Sequence, residues 1–213
     1  WTKRTSGTTK NLYGVTYGGG LFVTIGDNGT ILTSSDNGTS WTNKNISSGT
    51  TKNLYGVTYG GGLFVTVGDN ATILTSSDGT TWTNTSTNKR TTLGRYFSQP
   101  DANHLYGVTY GDGLFVTVGG DATILTSSNG TTWTERDGLR SKWVLPQYFK
   151  AITYRKKLFV LVGRNGRTLN SPDGITWKQR KSGTKYNLVG ITYSPSCGKA
   201  EWKGLDAGLC KNG

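Results

Sequence analysis

The chain has 213 residues, with 32 glycines, seven tryptophans, one histidine, two cysteines and no methionine. No run approaches the roughly 18 apolar residues of a membrane helix, and one histidine with two glutamates (Glu135 and Glu201) leaves little material for a histidine-rich metal site or a Ser-His-Asp triad. The net charge of +12 is uneven, because residues 1–135 balance eight Lys/Arg against eight Asp/Glu while residues 136–213 set sixteen against four. Basicity of one sector implies either a solvated face or contact with something anionic.

Taken in order, the chain repeats itself. It opens with Trp1-Thr2-Lys3-Arg4-Thr5-Ser6-Gly7-Thr8, which returns as Trp177-Lys178-Gln179-Arg180-Lys181-Ser182-Gly183-Thr184. Residues 7–36 and 49–78 differ at two positions only. A third copy starts at Leu105, a worn fourth at Phe149, and a fifth begins at Leu188 before losing the pattern. Repeat tryptophans stand at Trp1, Trp41, Trp82, Trp133 and Trp177. Self-similarity at a period near 40 is the mark of a stacked or radial repeat fold.

Each copy predicts four strands. Strand A is LYGVTY, followed by a glycine turn (Gly18-Gly19-Gly20 in the first copy) that reaches positive φ at no steric cost. Strand B is LFVTIG, apolar enough to be buried on both faces. Asp27-Asn28-Gly29 turns the chain into strand C, TILTSS, and strand D begins at the tryptophan. Four short antiparallel strands per unit predict an all-β fold, a β-propeller. The blades are expected at about 11–46, 53–87, 104–137 and 148–181. A fifth, composite blade from 187–213 plus 1–6 would close a single domain and remove open sheet edges. The main rival is an incomplete ring completed by another chain.

The turn between strands C and D carries a signature. Ser34-Ser35-Asp36-Asn37-Gly38-Thr39-Ser40-Trp41 is followed by shorter versions at Asp78–Trp82, Asn129–Trp133 and Asp173–Trp177. A short carboxylate or amide can accept from turn N–H groups while the tryptophan fills the space between sheets. These residues resemble the Asp box, S-x-D-x-G-x-[ST]-W, of the Asp-box (BNR) repeat propellers. That group includes sialidases, sortilin-type receptors and photosystem II stability factor-like proteins. The resemblance covers most of residues 1–193 and implies a fold rather than an activity. It gives Asp36, Trp41, Asp78, Trp82, Asn129, Trp133, Asp173 and Trp177 a structural role. A sialidase would need three arginines on a carboxylate, a tyrosine–glutamate pair and an acidic proton donor, and no such set is identifiable. The expectation is therefore no enzyme, no cofactor and no metal.

In an up-and-down blade the B–C turns and the D-to-A links share one face. The departures from the repeat gather there. The insertion at residues 88–104 brings Arg95, Tyr96 and Phe97, and the next link brings Arg140, Lys142 and Trp143. The fourth B–C turn reads Arg164-Asn165-Gly166-Arg167, where the first has Asp27-Asn28-Gly29. Insertions on one face of a repeat protein mark a candidate binding face, and arginine beside aromatics grips anionic or planar groups.

Absence of methionine makes Trp1 a processed end in this reading, and Cys197 and Cys210 are expected to close a disulfide loop in an exported chain. The sequons, such as Asn45-Ile46-Ser47, would then be open to glycosylation. The favoured function is a non-catalytic structural or adhesive module of a cell-surface assembly, with another protein chain of that assembly as partner. The alternatives are a lectin or receptor for anionic glycans and an assembly factor similar to the photosystem II stability factors. Nucleic acid ranks behind these as a partner.

Overall fold

A computed structural model describes residues 2–43, 50–86, 102–136 and 148–193. They form four antiparallel four-stranded sheets. The first holds β1 (Leu12–Gly18), β2 (Leu21–Gly26), β3 (Ile31–Ser34) and β4 (Thr42–Asn43). The second holds β5 (Leu54–Gly60), β6 (Leu63–Gly68), β7 (Ile73–Ser76) and β8 (Thr83–Asn84). The third holds β9 (Leu105–Gly111), β10 (Leu114–Gly119), β11 (Ile124–Ser127) and β12 (Thr134–Arg136). The fourth holds β13 (Phe149–Arg155), β14 (Leu158–Gly163), β15 (Thr168–Ser171) and β16 (Lys178–Arg180). Every sheet runs in chain order, so each is a meander of hairpins. This is the β-propeller architecture, with the first strand of each sheet innermost: β1 packs on β5, β5 on β9 and β9 on β13.

The core lies between sheets. Val23, Ile25 and Ile31 of the first blade meet Leu54, Phe64, Leu74 and Trp82 of the second. Val65, Val67 and Ile73 meet Leu105, Val108 and Phe115 of the third, and Val116, Val118 and Ile124 meet Phe149, Phe159 and Trp177 of the fourth. Strand B is buried on both faces, as a run without alternation requires. Its threonines are satisfied inside the sheet: Thr24, Thr66 and Thr117 donate to the Gly14, Gly56 and Gly107 carbonyls at 2.8–2.9 Å.

The blades are pinned together by a tyrosine laid across a glycine. Tyr59, Tyr110 and Tyr154 cover Gly18, Gly60 and Gly111 of the preceding blade so closely that a Cβ there would fall 2.1, 2.1 and 2.0 Å from a ring atom. No larger residue fits that contact. In the fourth blade the corresponding residue is Arg155, and its guanidinium stacks 4.5 Å from the Tyr193 ring instead.

The two ends of the array differ from expectation. Just ahead of residues 188–193, Asn165 N donates to Asn187 Oδ1 (3.1 Å) as Asn28 N donates to Asn53 Oδ1 (3.0 Å) just ahead of β5. Residues 188–193 nevertheless form no strand, and neither do residues 2–6. The ladder partners expected for 188–193 fall in 194–213, outside the described residues. Correspondingly, β1 exposes Leu12 (38%), Val15 (61%) and Tyr17 (58%), whereas Leu54, with the same local sequence, is fully buried by the blade before it.

Candidate binding face

Four C–D turns share one bonding scheme. Asp78 Oδ1 accepts from Thr80 and Thr81 N–H at 2.8 and 2.7 Å, Asp173 Oδ1 accepts from Ile175 and Thr176 N–H at 2.8 and 2.7 Å, and Asn129 Oδ1 does the same from Thr131 and Thr132 at 3.0 and 2.9 Å. In the longer first turn Asp36 accepts from Ser40 N–H. The serine two residues earlier donates to the carboxylate or amide oxygen in each case, as Ser76 does to Asp78 at 2.9 Å and Ser127 to Asn129 at 3.1 Å. Trp82, Trp133 and Trp177 donate Nε1–H to Gly79, Gly130 and Gly174 carbonyls at 3.0–3.1 Å. Trp82 and Trp177 are buried, while Trp41 and Trp133 are half-buried. Backbone N–H donation holds the Asp173 carboxyl down to about 2 and Asp78 below the usual carboxylate range; Ser34 and Ser40 do the same for Asp36. These groups are spent on holding turns.

The opposite face is less regular. The second residue of each inner strand is Tyr13, Tyr55, Tyr106 and then Lys150. Their neighbouring rings lie 5.5 Å apart from Tyr13 to Tyr55 and again from Tyr55 to Tyr106. The Lys150 ammonium caps the row, 3.3 Å above the Tyr106 ring. Tyr13 donates its hydroxyl to Asp27 Oδ1 (2.7 Å) and Tyr55 to Asp69 Oδ1 (2.8 Å). The bond to Asp27 raises the Tyr13 phenol, and burial together with the Asp69 bond pushes Tyr55 to about 12. Asp27 is lowered chiefly by the same Tyr13 bond. His104 Nδ1 lies 3.2 Å from Asp69 Oδ1 and its ring stacks on Tyr55 at 6.2 Å. The result is a row of three aromatic rings with Asp27 and Asp69 bonded to the first two and the Lys150 ammonium over the third.

Cations dominate the fourth blade. The Arg164 guanidinium sits 4.1 Å above the Tyr148 ring. Arg167 lines a shallow concavity of about 500 Å³ with Gln179, Arg180, Lys181 and Lys185. Of the face residues singled out in the sequence, Arg164 and Arg167 are thus on one B–C turn but point to different features. Arg95, Tyr96, Phe97, Arg140, Lys142 and Trp143 lie outside the described residues, as do Cys197 and Cys210. The tyrosine row, Lys150, Arg180, Lys181 and Lys185 escaped the sequence reading. A position-by-position alignment of the repeats shows Tyr, Tyr, Tyr, Lys, but only knowledge that strand A is innermost makes it a row. Among the described residues no three His, Cys, Asp or Glu side chains converge as metal ligands, and no helix is long and apolar enough to cross a membrane.

Solved structures with this fold include YCF48 bound to D1 peptide, similar at 15% identity with a TM-score of 0.64 over 88% of this chain and 60% of that one. YCF48 from Cyanidioschyzon merolae is similar at 14% identity, TM-score 0.61, over 82% of this chain and 57% of that one. An ancestral GH74 enzyme matches at 11% identity, TM-score 0.60, over 80% of this chain and 25% of that one. The chain therefore spans less than two thirds of these relatives' length, and at such identities the likeness concerns the fold. No curated protein matches the chain. The family model described as the DUF6242 beta propeller domain matches residues 1–137, well over half of the chain. With four sheets of propeller topology built on that repeat, the chain belongs to the family of DUF6242 beta propeller domains.

Proposed function

We propose that this propeller is a non-catalytic binding module that holds an extended segment of a partner protein across the inner end of its B–C face. The observation that carries the reading is the row Tyr13–Tyr55–Tyr106–Lys150. The Tyr13 and Tyr55 hydroxyls are anchored on Asp27 and Asp69, so these rings are oriented before any ligand arrives, and fixed aromatics bind at low entropic cost. The YCF48 structure with a bound D1 peptide supports the same class of partner for this fold. A photo-reactive phenylalanine at position 106, irradiated in extract of the native source, tests it. One stoichiometric protein adduct, lost in Lys150→Ala, is the expected result. Absence of any protein adduct overturns the reading.

Three finer readings belong to the same proposal. The C–D turns are assigned to the Asp-box repeat, supported by the side-chain bonding of Asp36, Asp78, Asn129 and Asp173. The ring is closed by a fifth, composite blade from 187–213 and 1–6, supported by the Asn165–Asn187 bond and the Arg155–Tyr193 stack. Nitration of tyrosines with tetranitromethane decides this: closure protects Tyr17 as the second blade's Tyr59 is protected, whereas rapid nitration of Tyr17 refutes it. The module works outside the cell in a surface assembly, supported by the Cys197 and Cys210 pair; peptide mapping without reduction must find them joined.

A further inference from the structure

Three basic residues of the fourth repeat stand where at least one other copy has threonine, and they meet at one place. The residue after the B–C turn is Thr30, Thr72 and Thr123 in the first three blades and Arg167 in the fourth. In the D-to-A link, Thr5 and Thr9 of the N-terminal copy correspond to Lys181 and Lys185. These side chains, with Arg180, surround the concavity of about 500 Å³, and among the described residues that line it none is acidic, aromatic or aliphatic.

The floor of the concavity is built rather than incidental. Gly166, at φ +66°, approaches the link so closely that a Cβ would fall 1.9 Å from the Thr184 carbonyl and 2.8 Å from Ser182 Oγ. Ser182, 6% exposed, donates to the Thr184 carbonyl at 3.1 Å, and Tyr186 N–H donates to Thr184 Oγ1 at 3.1 Å. Arg180 Nε is held by Asn170 Oδ1 at 3.0 Å. Asn165 N–H donates to Asn187 Oδ1 at 3.1 Å and joins turn to link, so the backbones that carry the four cations are held against each other.

We infer that this concavity is a binding site for an acidic glycan, independent of the protein-binding row on the inner strands. Four cations in one recess call for a ligand with several oxyanions, and Gln179 and Thr184 offer neutral partners for hydroxyl groups. The volume lies within the ~300–1,000 Å³ of small-molecule sites, well beyond one simple oxyanion. Among the described residues that line it there is no aromatic ring on which a nucleobase would stack, which sets it against single-stranded nucleic acid.

Calorimetric titration of the full chain with a heparin-derived hexasaccharide, a hexagalacturonate and a 12-nucleotide single-stranded DNA tests the site. Binding of either glycan is expected, the two arms separating sulfate from carboxylate as the recognised group. Restoring the residues of the other repeats, in R167T/K181T/K185T, is expected to weaken it at least 10-fold, and R167T alone about threefold. The control K156G/K157G, on the A–B turn at the other end of the blade, is expected to change affinity less than twofold. Equal weakening by control and site variants, DNA binding as tight as glycan binding, or no glycan binding overturns the inference.

Discussion

Tyr59 lies across Gly18 of the neighbouring blade with no room for a methyl group between them. The same contact joins Tyr110 to Gly60 and Tyr154 to Gly111. Gly60→Ala, in the middle of the array, should therefore destabilise the protein by the ~1–3 kcal/mol typical of overpacking. Urea denaturation checks it. Arg155→Ala, where stacking on Tyr193 is more open, should cost less than ~1 kcal/mol.

Trp82 is 2% exposed, packs on Phe64 at 6.4 Å and donates its indole N–H to Gly79. Trp82→Ala should cost ~3–5 kcal/mol, while Trp41→Ala, at a half-buried site of the first blade, should cost markedly less. Thermal melts of the two variants side by side give the ranking.

Acid should be felt at the C–D turns. The Asp173 carboxyl is lowered from 3.8 to about 2 by N–H donation, so its stabilising share is complete above the unfolded value and lost as pH falls through about 2. Asp173→Asn, which copies the natural Asn129 turn, should melt close to the parent at pH 6 and show a smaller drop between pH 4 and 2. Melting temperatures across that range provide the check.

Alkali should ionise Tyr55 late. Tyr55 is raised to about 12 by burial first and by its bond to Asp69 second. A raised folded value favours folding below about 10 and loses that contribution as pH rises through about 12. Ultraviolet titration at 295 nm should show a late phase that Tyr55→Phe abolishes.

Much of the fold was legible in the sequence because each blade repeats the same local evidence. LYGVTYG and LFVTIG read as paired strands, and the Asp, Gly and Trp of the C–D turns mark where strand D starts, just ahead of β4 and β16. The tyrosine row was not legible, since Tyr13 and Tyr55 are brought 5.5 Å apart by packing of inner strands from different blades. Nor was the basic concavity: Arg167 and Lys185 stand 18 positions apart and meet only through the Gly166–Thr184 approach. Pattern reveals what recurs along the chain, whereas a site made from departures emerges only when the departures are placed in space.

The tyrosine-on-glycine contact also bears on how such a protein can change size. It fixes the angle between two neighbours using residues that every early copy carries, so curvature is written into each joint and not into the ring as a whole. Residues 7–36 and 49–78 are interchangeable at nearly every position. Copying or deleting one unit therefore leaves every remaining joint intact, and lineages of such propellers can vary in blade number by whole-unit steps without inventing a new interface.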